Sequence, residues 1–473
     1  MEPSLLSRFG FSRTSARPEG LVASLPVRPW PGDIKGREPV SVVREEIMLH
    51  YDDAVRTILD HVRRLDAVDE PLLGCAGRVA AENVSADSDL PLAAVARMDG
   101  YAAASADVRR ASVAKPVALR VIAAARAGYP SSRVVRPGTA IRIMTGSVVP
   151  KGADCVVRFE DTDEPSGKNG PTKGNPTYVK IFASVLPGEN IRAAGSTVRK
   201  GTVVVADGAL IGPAQISACA SIGESRIKVI RRPTVAIIAT GDELVRPGTP
   251  LAPGKAYNCN TAAIAALVLH YGGMPRILGI ARDNETSLMS KIRQGLTADV
   301  IVTRGGTSNG DYDLVRHVVG NMGKLIFRKT NMGPGAPVVF GLVDGTSDNG
   351  VETSIPVFCL AGPPAGCLVS FETLVRPALL KMLGFTAVAH PSVEATALDS
   401  ISLKRSMALV EYTHLREAEG EYQVTLTTPG NAGMVPSMAA ANSLTIIPAG
   451  ATVKAGDKVQ VLPLECRRDR LPI

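Results

Sequence analysis

The sequence predicts a multidomain α/β chain built around a doubly wound, mostly parallel sheet, with a β-rich insert, an α+β segment and a C-terminal β-barrel beside it. Three observations predict this. Within 231–387, short apolar runs at 234–239, 276–280, 299–303 and 357–360 alternate with helical stretches at 261–271, 287–296, 312–319 and 368–383. Between about 92 and 191, short β-type runs (117–124, 139–143, 155–159, 178–181) are separated by Gly/Pro turns. From 388 to 473 the β texture returns, with turns at Pro429-Gly430, Pro448-Ala449-Gly450 and Ala455-Gly456-Asp457.

Taken in order, residues 1–40 are rich in Arg, Pro and Ser, lack the apolar stretch of a signal peptide, and read as a disordered extension or a mis-assigned start. A helical pattern follows through 51–65, where Ile58, Val62 and Leu65 share one side. A second short helix is expected at 69–83. Residues 192–230 return to the style of 41–91, with a strand at 203–205 and a helix at 213–220, so the 92–191 unit reads as an insertion. No apolar run reaches the ~18 residues of a membrane span.

Composition narrows the function. Hydrophobic residues make up 45% and charged residues 21%, ordinary for a globular protein with a sizeable core. Aromatics are only 4%, too few for a base-stacking platform, and the formal charge of +8 is interspersed rather than gathered on one arm, so no nucleic-acid partner is expected. The bland reading of that charge is a solvated basic surface. The seven cysteines are scattered with no C-x-x-C pair, which points to reduced thiols and a cytoplasmic location.

Chemistry is expected where ligands bind in open α/β sheets, beyond the carboxyl ends of the strands. The four apolar runs lead into Thr240-Gly241-Asp242-Glu243, then Arg282-Asp283, then Arg304-Gly305-Gly306-Thr307-Ser308-Asn309-Gly310-Asp311-Tyr312-Asp313, then Ala361-Gly362-Pro363-Pro364. Gly-rich loops ahead of helices expose N–H groups that favour anions, and Gly305, Gly306, Thr307 and Ser308 form the best phosphate cradle. Asp242, Glu243, Asp283 and Asp313 supply oxygen ligands suited to Mg²⁺. Each piece alone is also an ordinary turn or a helix N-terminal acid. Their convergence on one edge points to a phosphorylated or nucleotide-like ligand held with a metal. In the insert, Met98-Asp99-Gly100-Tyr101-Ala102, the 141–146 segment and Gly152-Ala153-Asp154 read as turns on spacing alone.

Those same residues resemble the molybdopterin molybdenumtransferases, a family whose fold also occurs in the gephyrin E domain. Met98–Ala102 is similar to its M-D-G-Y-A signature, and Arg142-Ile143-Met144-Thr145-Gly146 with Gly152-Ala153-Asp154 to its R-I-M-T-G…P-x-G-A-D block. Gly188–Arg192, Thr240–Leu244, the 305–313 loop and Ala441-Asn442 match four further blocks in the same order, covering about 42–464.

The resemblance implies four domains: an elongated α+β domain at 41–91 and 192–230, the insert at 92–191, a molybdopterin-binding α/β domain at 231–387 and the barrel at 388–473. It implies a homodimer with the active site between the α/β domain of one subunit and the insert of the other. The implied reaction is Mg²⁺-dependent insertion of molybdate into adenylated molybdopterin with release of AMP. Molybdopterin adenylyltransferase and molybdoenzyme apoproteins are the implied partners. Asp99, Thr145, Glu243 and Asp313 match catalytic positions. Asp283 matches a further functional position, with Asp242 and Ser437 supporting, while Thr240, Gly241, Arg304, Gly305–Ser308, Gly362 and Pro364 are the candidate cofactor-binding residues of the strand-end loops.

Several positions depart from the family pattern. Its M-K-P-G-K-P is Met332-Gly333-Pro334-Gly335-Ala336-Pro337 here, so both lysines are missing. Its G-E-D is Gly195-Ser196-Thr197, its L-P-G-N-P is Leu360–Pro364, and Arg304 stands where a small residue is usual. Arg304, Arg328 and Lys329 are candidates to replace the lost charge. The departures keep two alternatives open: a catalytically impaired molybdopterin-binding module or carrier, and an enzyme that inserts tungstate.

Overall fold

A strand covered on both faces reads as an unbroken apolar run, because neither side meets water. Strand Thr234–Thr240 is such a run, buried from Val235 onward. The computed structural model describes residues 48–164, 177–305, 314–346, 352–402, 406–427 and 435–464, so the N-terminal extension lies outside the described residues. The chain divides into two compact units, Ala67–Val229 and Ile230–Ile473, the latter joined by the residues up to Asp66.

The larger unit holds a seven-stranded sheet in the order Met48–Leu49, Gly323–Thr330, Pro337–Thr346, Glu352–Leu360, Val300–Arg304, Thr234–Thr240, Met274–Ala281. Parallel pairing joins the last four strands, and Pro337–Thr346 runs antiparallel to both its neighbours. The two-residue side-chain period of a strand splits its residues between two cores. Val235, Ile237, Val300, Val302, Phe358 and Leu360 face one, with Ile58, Ile264, Val268 and Leu379 from the covering helices. Ala236, Ile238, Ile301, Val357 and Cys359 face the other, with Leu288, Ile292, Val315 and Val318. Helices on both faces make the sheet doubly wound, as expected. The strands at Gly323–Thr330 and Pro337–Thr346 were not anticipated: Lys324, Arg328 and Lys329 break the apolar pattern of the first.

In the smaller unit, five strands pair in the order Cys155–Arg158, Gly100–Ala103, Thr139–Ile143, Val117–Ala125, Tyr178–Ile181, which is the β-rich insert. The helix expected at 69–83 does not form. Strand Ala67–Pro71 and a 3₁₀ turn at Leu72–Cys75 take its place. Pro71 has no N–H to donate to a helix, and Gly77 sits at φ +74°, outside helical geometry. Toward the C-terminus, strand Ala408–Ala418 pairs with both Glu421–Leu426 and Ser443–Ile447, and Val393–Ala397 with Lys458–Pro463 completes the ring. The closure is a five-stranded barrel, with no open edge among those strands. Among the described residues, no helix is long and apolar enough to cross a membrane.

A polar cluster is set inside the first core of the sheet. Tyr271 Oη donates to Glu372 at 2.7 Å, His390 Nε2 lies 3.7 Å from the same carboxylate, and Arg376 stacks over the Tyr271 ring at 5.2 Å. Glu372 and Arg376 are buried. A buried carboxylate that loses a hydrogen bond bears its desolvation cost uncompensated. Tyr271→Phe keeps the ring under Arg376 and removes only the hydroxyl. It is expected to lower unfolding stability by about 1.5–3 kcal/mol, seen as a lower guanidinium midpoint at unchanged slope.

Candidate functional site

The parallel register brings four strand ends to one edge. Thr240 lies opposite Ala281, Ala239 opposite Arg304, and Arg304 opposite Leu360. The loops that follow are tied together by their own backbone. Gly241 N–H donates to Ala281 O at 3.3 Å, Gly305 N–H to Leu360 O at 3.1 Å, and Thr240 Oγ1 to Arg304 O at 3.1 Å. Gly305 has φ +95°, and a Cβ there would sit 2.8 Å from Thr240 Oγ1. Only glycine accepts both the backbone angle and that closeness. Asn260 Nδ2 donates to Gly362 O at 3.0 Å, which anchors the fourth loop to the first turn of helix Cys259–His270. Pro364 opens helix Pro364–Ser370 at its first position, where a missing N–H is harmless.

Charges of both signs alternate along this edge. Asp242 N–H donates to Asp283 Oδ2 at 3.0 Å, and Arg282 Nη1 stands 3.5 Å from Asp242 Oδ1. Lys255 Nζ donates to Asp242 O at 2.8 Å. Arg304 Nη1 faces Glu243 Oε1 at 3.8 Å. Gly241, at φ +142°, leaves space that the Glu243 carboxylate occupies: a Cβ on residue 241 would lie 2.3 Å from Oε2. Burial pushes the neighbouring Cys367 thiol up to about 12, against the opposing pull of Arg304.

Thr240, Gly241, Asp242, Glu243, Asp283, Arg304, Gly305, Gly362 and Pro364 thus come together at one edge of the sheet. Gly306, Thr307, Ser308 and Asp313, with the rest of 306–313, lie outside the described residues. Among the described residues, no three His, Cys, Asp or Glu side chains gather as a metal cage. Lys255 and Asn260 escaped sequence reasoning. They lie on either side of the short strand Ala256–Tyr257, which pairs in parallel with Leu244–Val245, a link with no motif of its own. Of the charge-replacing candidates, Arg304 stands on the edge. Arg328 and Lys329 lie three strands away, about 14 Å at ordinary strand spacing. The Met332–Pro337 loop packs beside the fourth strand end: Ser370 Oγ donates to Gly335 O at 3.2 Å, and Gly333 and Ala336 are buried. Ser437 is buried in helix Val435–Ala440.

In the Ala67–Val229 unit the insert motifs meet across a strand pair. Gly100 lies opposite Ile143 and Tyr101 opposite Arg142, so Asp99 and Thr145 flank the same end. Thr145 N–H and Oγ1 both donate to Asp99 Oδ1, at 2.7 and 2.8 Å, on an exposed turn. Other motif residues serve as scaffold. Arg142 donates to Glu164 and stacks over Phe159 at 4.6 Å, Tyr101 donates to the same Glu164, and Asp154 accepts from Ser105 N–H and Oγ. Burial and the Glu164 hydrogen bond together push the Tyr101 hydroxyl far up, so it remains a donor. A Cβ on Gly100 would lie 1.9 Å from Val157 O.

Comparison with known proteins matches three family models along the chain: the MoeA N-terminal region over 49–223, a probable molybdopterin-binding domain over 236–381, and the MoeA C-terminal region over 395–464. A molybdopterin molybdenumtransferase of Nostoc is 32% identical across 87% of this chain and 93% of its own length. Molybdopterin molybdenumtransferase 2 of Mycobacterium tuberculosis is also 32% identical, across 86% of this chain and 98% of its own. Two crystal structures of a molybdopterin biosynthesis MoeA protein from Pyrococcus horikoshii superpose with TM-scores of 0.75 and 0.66, at 28% and 25% identity. They cover 89% and 88% of this chain and the whole of the other.

Gly241→Ala tests how tightly the first loop is built. The substitution imposes a rare backbone angle and collides with the Glu243 carboxylate. A loss of about 1–3 kcal/mol in unfolding stability is expected, together with release of Glu243 from its seat near Arg304, read by calorimetry and a crystal structure of the variant.

Proposed function

The chain belongs to the MoeA-type molybdopterin molybdenumtransferases, transferases of molybdenum cofactor biosynthesis, and from that premise we propose that it cleaves adenylated molybdopterin, inserts molybdate and releases AMP. The single observation that carries the proposal is the shared edge at which Thr240, Ala281, Arg304 and Leu360 end, where Gly362 has open space beside its Cα. Ligands of open α/β sheets bind at such an edge.

Residues of the first loop suit a Mg²⁺ ion. This cation keeps several waters and needs only one or two protein carboxylates beside substrate phosphates. The Asp242 and Glu243 side chains are 62% and 47% exposed, so their oxygens are reachable, and Asp283 steadies the Asp242 backbone. With Asp313, they would hold the ion, which supplies neutralising charge to the phosphates. The residues of the chain do the rest. Thr240 and Asn260 fix the loop backbones that receive the substrate, and the Asp99–Thr145 pair of the insert keeps the functional role that the family pattern gives those positions. A cytoplasmic homodimer, supplied by a molybdopterin adenylyltransferase and delivering to molybdoenzyme apoproteins, completes the proposal.

A second reading, a molybdopterin carrier without turnover, is favoured by Gly333 and Ala336, where the family pattern has lysines. Two measurements decide. Purified protein with adenylated molybdopterin, molybdate and Mg²⁺ is expected to release AMP, and Asp242→Asn to weaken the Mg²⁺ dependence by roughly tenfold or more. Tight pterin binding with no AMP release establishes the carrier instead. Complementation of a host lacking its own molybdenumtransferase is expected to succeed, at lower efficiency when molybdate is scarce. Competition by tungstate in the same assay sets the oxyanion preference.

A further inference from the structure

Arg304 is an unusual group to find at the end of a central parallel strand. Its side chain is only 11% exposed, and its Nε is buried with no hydrogen-bond partner among the described residues. Nη1 is 3.8 Å from Glu243, beyond hydrogen-bond length. A guanidinium has five donors in a fixed fork, matched to the oxygens of a tetrahedral anion, and burying it without full satisfaction is costly. The Cys367 thiol nearby stays neutral, since burial holds it up at about 12, so it adds no competing negative charge. Glu243 supplies the opposite charge on a flexible side chain that is 47% exposed, folded back over Gly241.

We propose that Arg304 receives a tetrahedral oxyanion at the strand-end edge, and that Glu243 is its internal counter-ion, displaced when the oxyanion binds. The inference rests on reading this edge as the substrate site. The oxyanion is either free molybdate or a phosphate group of adenylated molybdopterin, because both present the same tetrahedral oxygens. Arg304 takes the ligand's oxygens on its buried fork, and Glu243 swings outward, where its carboxylate is available to a cation.

The test is direct binding, with Mg²⁺ chelated, of sodium molybdate and separately of adenylated molybdopterin to the full chain and its variants by calorimetry. Arg304→Gln is expected to weaken one of the two by roughly tenfold to a hundredfold, the effect of losing a charge-assisted contact. Arg304→Lys keeps the charge without the fork and is expected to recover part of the loss. Glu243→Gln removes the competitor and is expected to tighten the same ligand several-fold, a direction that misfolding does not produce. Loss confined to molybdate identifies the free oxyanion as the ligand, and loss confined to adenylated molybdopterin identifies its phosphate. The proposal is overturned if Arg304→Gln melts like the wild type and binds both ligands equally well. It is overturned too if Glu243→Gln weakens binding, or if the wild type binds neither. Wild-type AMP release with unchanged Arg304→Gln binding leaves the function standing and removes this inference. Absent AMP release with Arg304-dependent molybdate binding does the reverse.

Discussion

The site depends on one constraint, the parallel register of four neighbouring strands. Parallel strands share a direction, so all their carboxyl ends must lie on one side, and the pairings Thr240 with Ala281 and Arg304 with Leu360 level those ends. Were one strand reversed, its loop would leave the edge altogether. The contacts beyond the strands extend this alignment: Gly305 N–H reaches Leu360 O, and Thr240 Oγ1 reaches Arg304 O. A slip of one residue between these strands would move Val235 and Ile237 into the opposite core, so packing on both faces enforces the register that the site requires.

Those parts of the fold were legible that obey a single strong period. Burial on both faces makes 235–239 and 300–302 apolar throughout, and the helices between them keep their own spacing. Strand Gly323–Thr330 was not legible: it lies toward the margin of the sheet and alternates Lys324, Arg328 and Lys329 with Leu325 and Phe327. The 69–83 segment deceived for the opposite reason. Its apolar residues are real core contacts, Cys75 and Ala80 among them, but Pro71 and Gly77 deliver them from irregular backbone.

The candidate site was legible as a set of loops and illegible as a set of partners. That Asp242, Glu243 and Asp283 share an edge follows from strand order, which an α/β rhythm implies. That Lys255 is bound to the Asp242 carbonyl, or Asn260 to Gly362, depends on the path of a loop whose turns carry no signal beyond glycine and proline. The insert makes a similar division. Motif residues Tyr101, Arg142 and Asp154 are consumed by the scaffold, and the exposed Asp99–Thr145 pair is what they hold in place.

Positive charge at this edge has a particular location, and its location matters more than its amount. Gly333 and Ala336 bring none, since the one lacks a side chain and the other ends at a methyl, and both are buried. Arg328 and Lys329 are too far along the sheet to act at the centre. Arg304 instead rises from the sheet itself, with its stem packed in the protein and its Nε out of water. A cation so placed is rigid and poorly screened, and an anion drawn to it gains more than it would from a solvated lysine on a loop. The same burial makes an unpartnered guanidinium costly, and the half-exposed Glu243 carboxylate stands close by. An edge that must admit an anion and still fold without one needs such a counter-ion of its own, near enough to neutralise the cation and loosely enough held to leave.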